Sequence, residues 1–196
     1  MMNNQKVRAL LSKDLDAENY DVSEQGLFFP KHGIQVSGEY IDRINGGEWN
    51  RTKNLITKEG MIHVLNVALG SKAKASGYYL ALFSGATAPA DNWTAANFSA
   101  VSNEIVSLTE GYTNPTRPQF VAADTTDQKY IDNFASTARV TIATTSQLNV
   151  TGTALLTSSV RGGTTGVLLS ATKYAAARTF QDGDTYDIGY RFSVTS

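Results

Sequence analysis

The C-terminal part of the chain holds four Thr-rich or apolar stretches of strand type, and the alternation of apolar and polar residues in two of them fixes the class of fold. They are Arg139-Val-Thr-Ile-Ala-Thr144, Gln147-Leu-Asn-Val-Thr-Gly-Thr-Ala-Leu-Leu156, Gly166-Val-Leu-Leu-Ser-Ala171 and Tyr186-Asp-Ile-Gly-Tyr-Arg-Phe-Ser-Val194. Val140 and Ile142, and then Ile188, Tyr190, Phe192 and Val194, recur every second residue, which puts them on one face of an extended strand. Short strands with one wet and one buried face, joined by Gly, Ser and Asp turns, pair as antiparallel sheets. The expected fold is mainly β: an antiparallel β-sandwich, jelly-roll-like, with one or two short helices and an extended N-terminal arm.

Upstream the pattern changes. Val7, Leu10, Leu11 and Leu15 recur at helical spacing among mixed charges, which predicts a short amphipathic helix. Gly26-Leu-Phe-Phe-Pro30 and Gly33-Ile-Gln-Val-Ser-Gly-Glu-Tyr-Ile41 are extended runs between Gly and Pro, and predict arm or edge strands. Beyond Gly46-Gly47, Asn54 or Thr57 can cap a helix ending at Gly70, with Met61, Ile62, Leu65, Ala68 and Leu69 as its buried face. Tyr78–Phe83 predicts a strand, and Trp93–Val106 a short helix capped by Thr94 with Phe98, Val101 and Ile105 on one face. Residues 1–60 are dense in charge, whereas Asn133–Gln181 holds no acid and four bases. The shift divides the chain into an arm, 1–50, and a β-sandwich domain, 51–196.

Several function classes are disfavoured by composition. A net charge of −1 and pI near 6.1 give no long-range attraction to nucleic acid or anionic lipid. Absence of cysteine leaves no disulfide framework and no thiolate metal site, and suits assembly in a reducing cytoplasm. Arg8, Lys13 and Asp14 interrupt the only apolar run near the start, so no signal peptide is expected. The longest apolar window, Met61–Leu69, carries His63 and Asn66 and falls short of the roughly 20 residues of a membrane span.

Material for catalysis is thin. With two histidines, His32 and His63, neither a zinc site nor a Ser-His-Asp triad is well supplied. Arg161-Gly-Gly-Thr-Thr-Gly166 offers consecutive backbone N–H groups, but lacks the Gly-Lys-Ser/Thr of a phosphate loop and suits a hairpin connection better. Asp182-Gly-Asp184 is too short for a calcium loop and is a standard turn pair ahead of a strand. Aromatic residues are scattered and separate from bases, which argues against nucleic-acid stacking. Trp49 and Trp93 remain candidates for stacking on sugars. No spacing singles out a pair of carboxylates for glycan hydrolysis, so neither an enzyme nor a cofactor is expected.

The run Thr52-Lys-Asn-Leu-Ile-Thr-Lys-Glu-Gly-Met-Ile-His-Val-Leu-Asn-Val-Ala-Leu-Gly70, followed by Tyr78-Tyr-Leu-Ala-Leu-Phe-Ser-Gly85, resembles an opening common in small virion proteins of tailed bacteriophages. Glu104-Ile-Val, Glu110-Gly-Tyr112, Arg117-Pro-Gln-Phe120, Ser159-Val-Arg-Gly-Gly-Thr-Thr-Gly166 and Phe180-Gln-Asp-Gly-Asp184 look similar to the same group. The likeness spans about residues 52–196. It implies a non-enzymatic protein on the capsid, as decoration or cement, or in the tail. The expected partners are a major capsid protein and further copies of the chain, as a homotrimer, in a virion assembled in the host cytoplasm, without nucleic acid or membrane. Extended arms bind by strand addition or apolar anchors, and Leu10, Leu11, Leu27, Phe28, Phe29, Ile34, Val36 and Tyr40 are the contact candidates. A head–tail connector component and a carbohydrate-binding fibre module are the alternatives.

Overall fold

In the strands β10 (Ala138–Ala143) and β13 (Thr185–Thr195), the alternating residues point where their period predicts. Val140, Ile142, Tyr186, Ile188 and Tyr190 are all buried in one core. Here and throughout, the structure is a computed structural model, which describes residues 20–22, 28–30 and 34–195. It divides into two units, Met1–Gln35 with Thr195–Ser196, and Val36–Val194. In the first, β1 (Tyr20–Val22) pairs antiparallel with β2 (Phe28–Pro30), Asp21 opposite Phe29. The predicted helix over Val7–Leu15 lies outside the described residues.

The second unit is an antiparallel β-sandwich. One sheet has the order β4 (Asn50–Lys53), β3 (Gln35–Ile44), β13, β10, β7 (Gly111–Tyr112), with β9 (Tyr130–Asp132) also paired to β13. The other runs β5 (Leu55–Ile56), β12 (Leu168–Phe180), β11 (Leu148–Leu156), β6 (Tyr78–Phe83), β8 (Gln119–Phe120). The chain changes sheet at Asn54, between β4 and β5, and again between β7 and β8 through Pro115 and Pro118. Tyr40, Leu80, Leu82, Val150, Leu155 and Phe180 join the inward residues of β10 and β13 between the sheets. Two helices are described, α1 (Lys58–Ala68) and α2 (Ala95–Ser102).

The strand β6 shows why Tyr-Tyr-Leu-Ala-Leu-Phe is a continuous apolar run. Leu80 and Leu82 face the sandwich core, while Ala81 and Phe83 face a second cluster with Trp93, Phe98 and Leu156. A strand buried on both faces has no polar alternation. The second cluster sits under α2, capped by Thr94 and Asn97 in a reciprocal capping box and ended by Asn103 at φ 54°. Ile105 lies beyond this helix, yet still reaches the core.

Three expectations change. The arm does not extend to residue 50, because Gln35–Ile44 is a full strand between β4 and β13, and Tyr40 and Asp42 point into the sandwich. β4 follows β3 as a hairpin, but its other neighbour β13 is more than a hundred residues away, so nothing local marks β3 as interior. Tyr40 is fully buried, its hydroxyl 2.7 Å from Ser170 Oγ, so it is core and not a surface contact. Of the two predicted caps, Asn54 and Thr57, it is Thr57 that starts the helix α1, its Oγ1 accepting from Gly60 N and donating to Leu168 O, but the buried face is not the predicted one. Gly60 and His63 are buried, whereas Ile62, Leu65 and Leu69 are 49%, 51% and 86% exposed. A side chain at residue 60 would collide with the Leu169 backbone, so the helix meets β12 along its glycine and turns its leucines outward.

Candidate functional site

Four of the later stretches that carry the resemblance meet in one polar cluster around the buried Glu104 and Arg117. Glu104, just after α2, accepts from Arg117 Nε at 2.7 Å and Nη2 at 2.8 Å, and both side chains are fully buried. The second oxygen of Glu104 also accepts from Gly162 N at 3.0 Å, and Arg117 Nη1 donates to Ser158 O at 2.9 Å. Arg161 donates to the carbonyls of Ile105, Ser107, Tyr112 and Asn114. Its guanidinium lies 3.7 Å from the centre of the Tyr112 ring. Burial pushes Tyr112 up to about 12 and lowers Arg161. Glu110 binds the hydroxyls of Thr144 and Thr145, which holds its carboxyl below the usual range. The cluster pins the irregular stretch between α2 and β8 to the loop between β11 and β12. Arg161-Gly-Gly-Thr-Thr-Gly166 is therefore a hairpin connection, with its arginine satisfying backbone carbonyls. Asp182-Gly-Asp184 is the turn between β12 and β13, with Gly183 at φ 80° and Asp184 accepting from Asn45 and Gln181 N.

Charge on the flanks of the sandwich is similarly internalised. Asp42 is buried and paired with Arg178 Nε at 2.7 Å and Nη2 at 3.1 Å. Asp187 is buried between Arg43, at 2.8 Å, and Arg139, at 2.6 Å, and these partners hold its carboxyl below the usual value. Arg43 also covers the Trp49 ring at 4.3 Å. Trp93 is buried against Phe83 and Phe98, which removes it as a platform for sugars. Among the described residues, no three His, Asp or Glu side chains come together as a metal site requires, and no helix is long and apolar enough to cross a membrane.

A concavity opens among the described residues. A cavity of about 350 Å³ is lined by residues of β8, at the end of one sheet, and of β9, which pairs with β13 of the other. Leu155, Leu169 and Tyr190 from the core form part of its lining, with Val64, Tyr78, Phe120, Ile131 and Phe192, while Lys74, Ser76 and Gln119 supply polar groups. Tyr78 OH lies 3.2 Å from Nε2 of the buried His63, whose Nδ1 has no partner. Burial, then Lys72, lowers the His63 pKa, and burial raises that of Tyr78.

Of the predicted contact residues, the structure describes Phe28, Phe29, Ile34, Val36 and Tyr40. Ile34, in the first unit just before β3, is 75% exposed, and Val36, in β3, is half-buried. Phe28 and Phe29 belong to β2 in the first unit, and Leu10, Leu11 and Leu27 lie outside the described residues. Missed by sequence reading were the cavity, assembled from residues far apart in the chain, and the outward stripe of α1, whose spacing was visible but whose exposure was not. No protein-family model matches the chain, and no curated protein matches it.

Proposed function

We propose that the chain is a structural protein of a tailed-phage virion: a capsid decoration or cement protein that joins copies of itself, as a trimer, and grips the head shell through its N-terminal residues. The observation that carries the reading is the role of the residues behind the resemblance. Glu104 and Arg117 bind each other out of solvent, Arg161 ties four backbone carbonyls together, and Glu110 ties its loop to Thr144 and Thr145, so all four are engaged in holding loops to the sandwich. Two further features support it. The N-terminal residues form a unit separate from the sandwich, and α1 turns Ile62, Leu65 and Leu69 to solvent, surface that self-association would cover. Multivalent attachment would stabilise the shell even where each contact is weak.

The test is the solution mass of the purified protein by light scattering, with negative-stain images of it mixed with bare capsids of a tailed phage. A trimer that decorates capsid faces is the expected result. Removal of residues 1–33 should leave a folded sandwich that no longer decorates. A larger ring, or binding at a single vertex, would replace this reading with a head–tail component.

A further inference from the structure

We infer that the cavity between β8 and β9 binds a small amphiphilic anion, an alkyl or aryl carboxylate with one charged head. This goes beyond the virion reading and does not depend on it. The volume, about 350 Å³, sits near the low end of the roughly 300–1,000 Å³ typical of small-ligand sites, which are mostly apolar with a few polar groups that set orientation. The interior fits that description. Phe120, Phe192 and Leu155 offer an apolar lining that reaches the sandwich core, so an alkyl or aryl body would exchange water for carbon.

Charge sets the head group. Lys74 is the one charged residue lining the cavity, and it lies in the segment between α1 and β6. No carboxylate of the described residues pairs with it. Its ammonium is a mobile point charge on a long stem, suited to meeting an anion at the rim while the apolar body lies inside. An amphiphile with a cationic head would face Lys74 with like charge, and a neutral one would gain nothing from it.

The test uses the full-length protein and two probes: anilinonaphthalene sulfonate, whose fluorescence rises in apolar sites, and decanoate as its competitor, with decanol as the uncharged control. The expected result is saturable fluorescence at one site per chain, displaced by decanoate about fivefold more effectively than by decanol, the scale of one partly exposed ion pair. Lys74→Glu should weaken decanoate by at least that factor and leave decanol unchanged. Ala122→Trp, which adds a large side chain to a cavity-lining position, should remove both. Melting curves establish that each variant is folded. In the unaltered protein, the backbone amide resonances of Gly77, Val121 and Phe192 should shift on addition of decanoate. Absence of saturable binding, equal affinity for decanoate and decanol, or resonance shifts elsewhere would overturn the assignment. So would Ala122→Trp blocking self-association or capsid attachment while probe binding persists, since the cavity would then hold a protein segment instead.

Discussion

Replacing Arg117 by Met tests what holds the long connection between α2 and β8 in place. The substitution keeps apolar volume but removes two hydrogen bonds to Glu104, at 2.7 and 2.8 Å, and one to Ser158 O. Glu104 would be left in a site with no exposure and only the N–H of Gly162 as partner. Breaking a buried pair by removing one side costs about 3–5 kcal/mol, because the surviving charge is left uncompensated. For a chain of this size, about 2–4 °C of melting temperature goes with each kcal/mol, which gives a drop of about 6–20 °C. The second arm is the double variant Arg117→Met with Glu104→Met. Both charges are then gone, and what remains unpaired is Gly162 N and Ser158 O, at about 1–3 kcal/mol each if they stay buried. The double variant should therefore lose less than the two single losses added together, with a coupling of about 2 kcal/mol. Urea unfolding followed by far-ultraviolet circular dichroism measures all four states. A loss below about 1 kcal/mol for Arg117→Met, or strictly additive single losses, would refute the claim that this pair anchors the connection.

Three other perturbations have signs fixed by the structure. Gly60→Ala should destabilise in a melting experiment: the helix propensity gain of about 1 kcal/mol is smaller than the strain of forcing a methyl into the Leu169 backbone, about 1–3 kcal/mol or more. His63 is buried with its pKa lowered, so on acidification the unfolded chain takes up its proton first. Stability should fall as pH drops below about 6.5 and level off beneath the lower folded value, and His63→Gln should flatten that step in a pH series of urea midpoints. Asp187 has its carboxyl lowered by Arg139 and Arg43, so its contribution is complete above the unfolded value near 3.9 and fades as pH falls through the folded one. Asp187→Asn should cost about 1–2 kcal/mol at neutral pH, a value reduced for the exposure of Arg139, and should lessen the loss in acid.

How much of this was legible in the sequence depended on how local each cause was. Period two in β10 and β13 is a property of consecutive residues, and both strands lie where it predicts. The caps Thr57 and Thr94 act within three residues of themselves, and they too were readable. The sandwich boundary was not, because β3 earns its interior position from β13, more than a hundred residues away. Asp42 illustrates the cost of that blindness: it resembles one more charge in a charged arm, yet it lies two residues from Tyr40 on the same inward face of β3 and meets its partner across a bulge in β12. Val150 pairs with Arg178 and Gly152 with Lys173, so five steps of β12 lie against two of β11. Arg178, on the far side of the bulge, reaches Asp42. No pattern in either segment announces the other.

The helix α1 separates two meanings of amphipathicity. Apolar spacing along a helix says that one face avoids water; it does not say which element supplies the cover. Within this unit the cover is absent, since the sandwich takes up the Gly60–His63 side and the smaller contact there is made close by the missing side chain of Gly60. Single exposed leucines are ordinary on protein surfaces, but Ile62, Leu65 and Leu69 recur at i, i+3 and i+7 and so form one stripe. If copies of the chain meet through that stripe, Leu65→Asp should shift the light-scattering mass toward the monomer while leaving the melting temperature of the sandwich nearly unchanged, because the altered side chain touches solvent in the isolated unit. A large loss of thermal stability with no change in mass would mean that the stripe is instead covered by the chain itself.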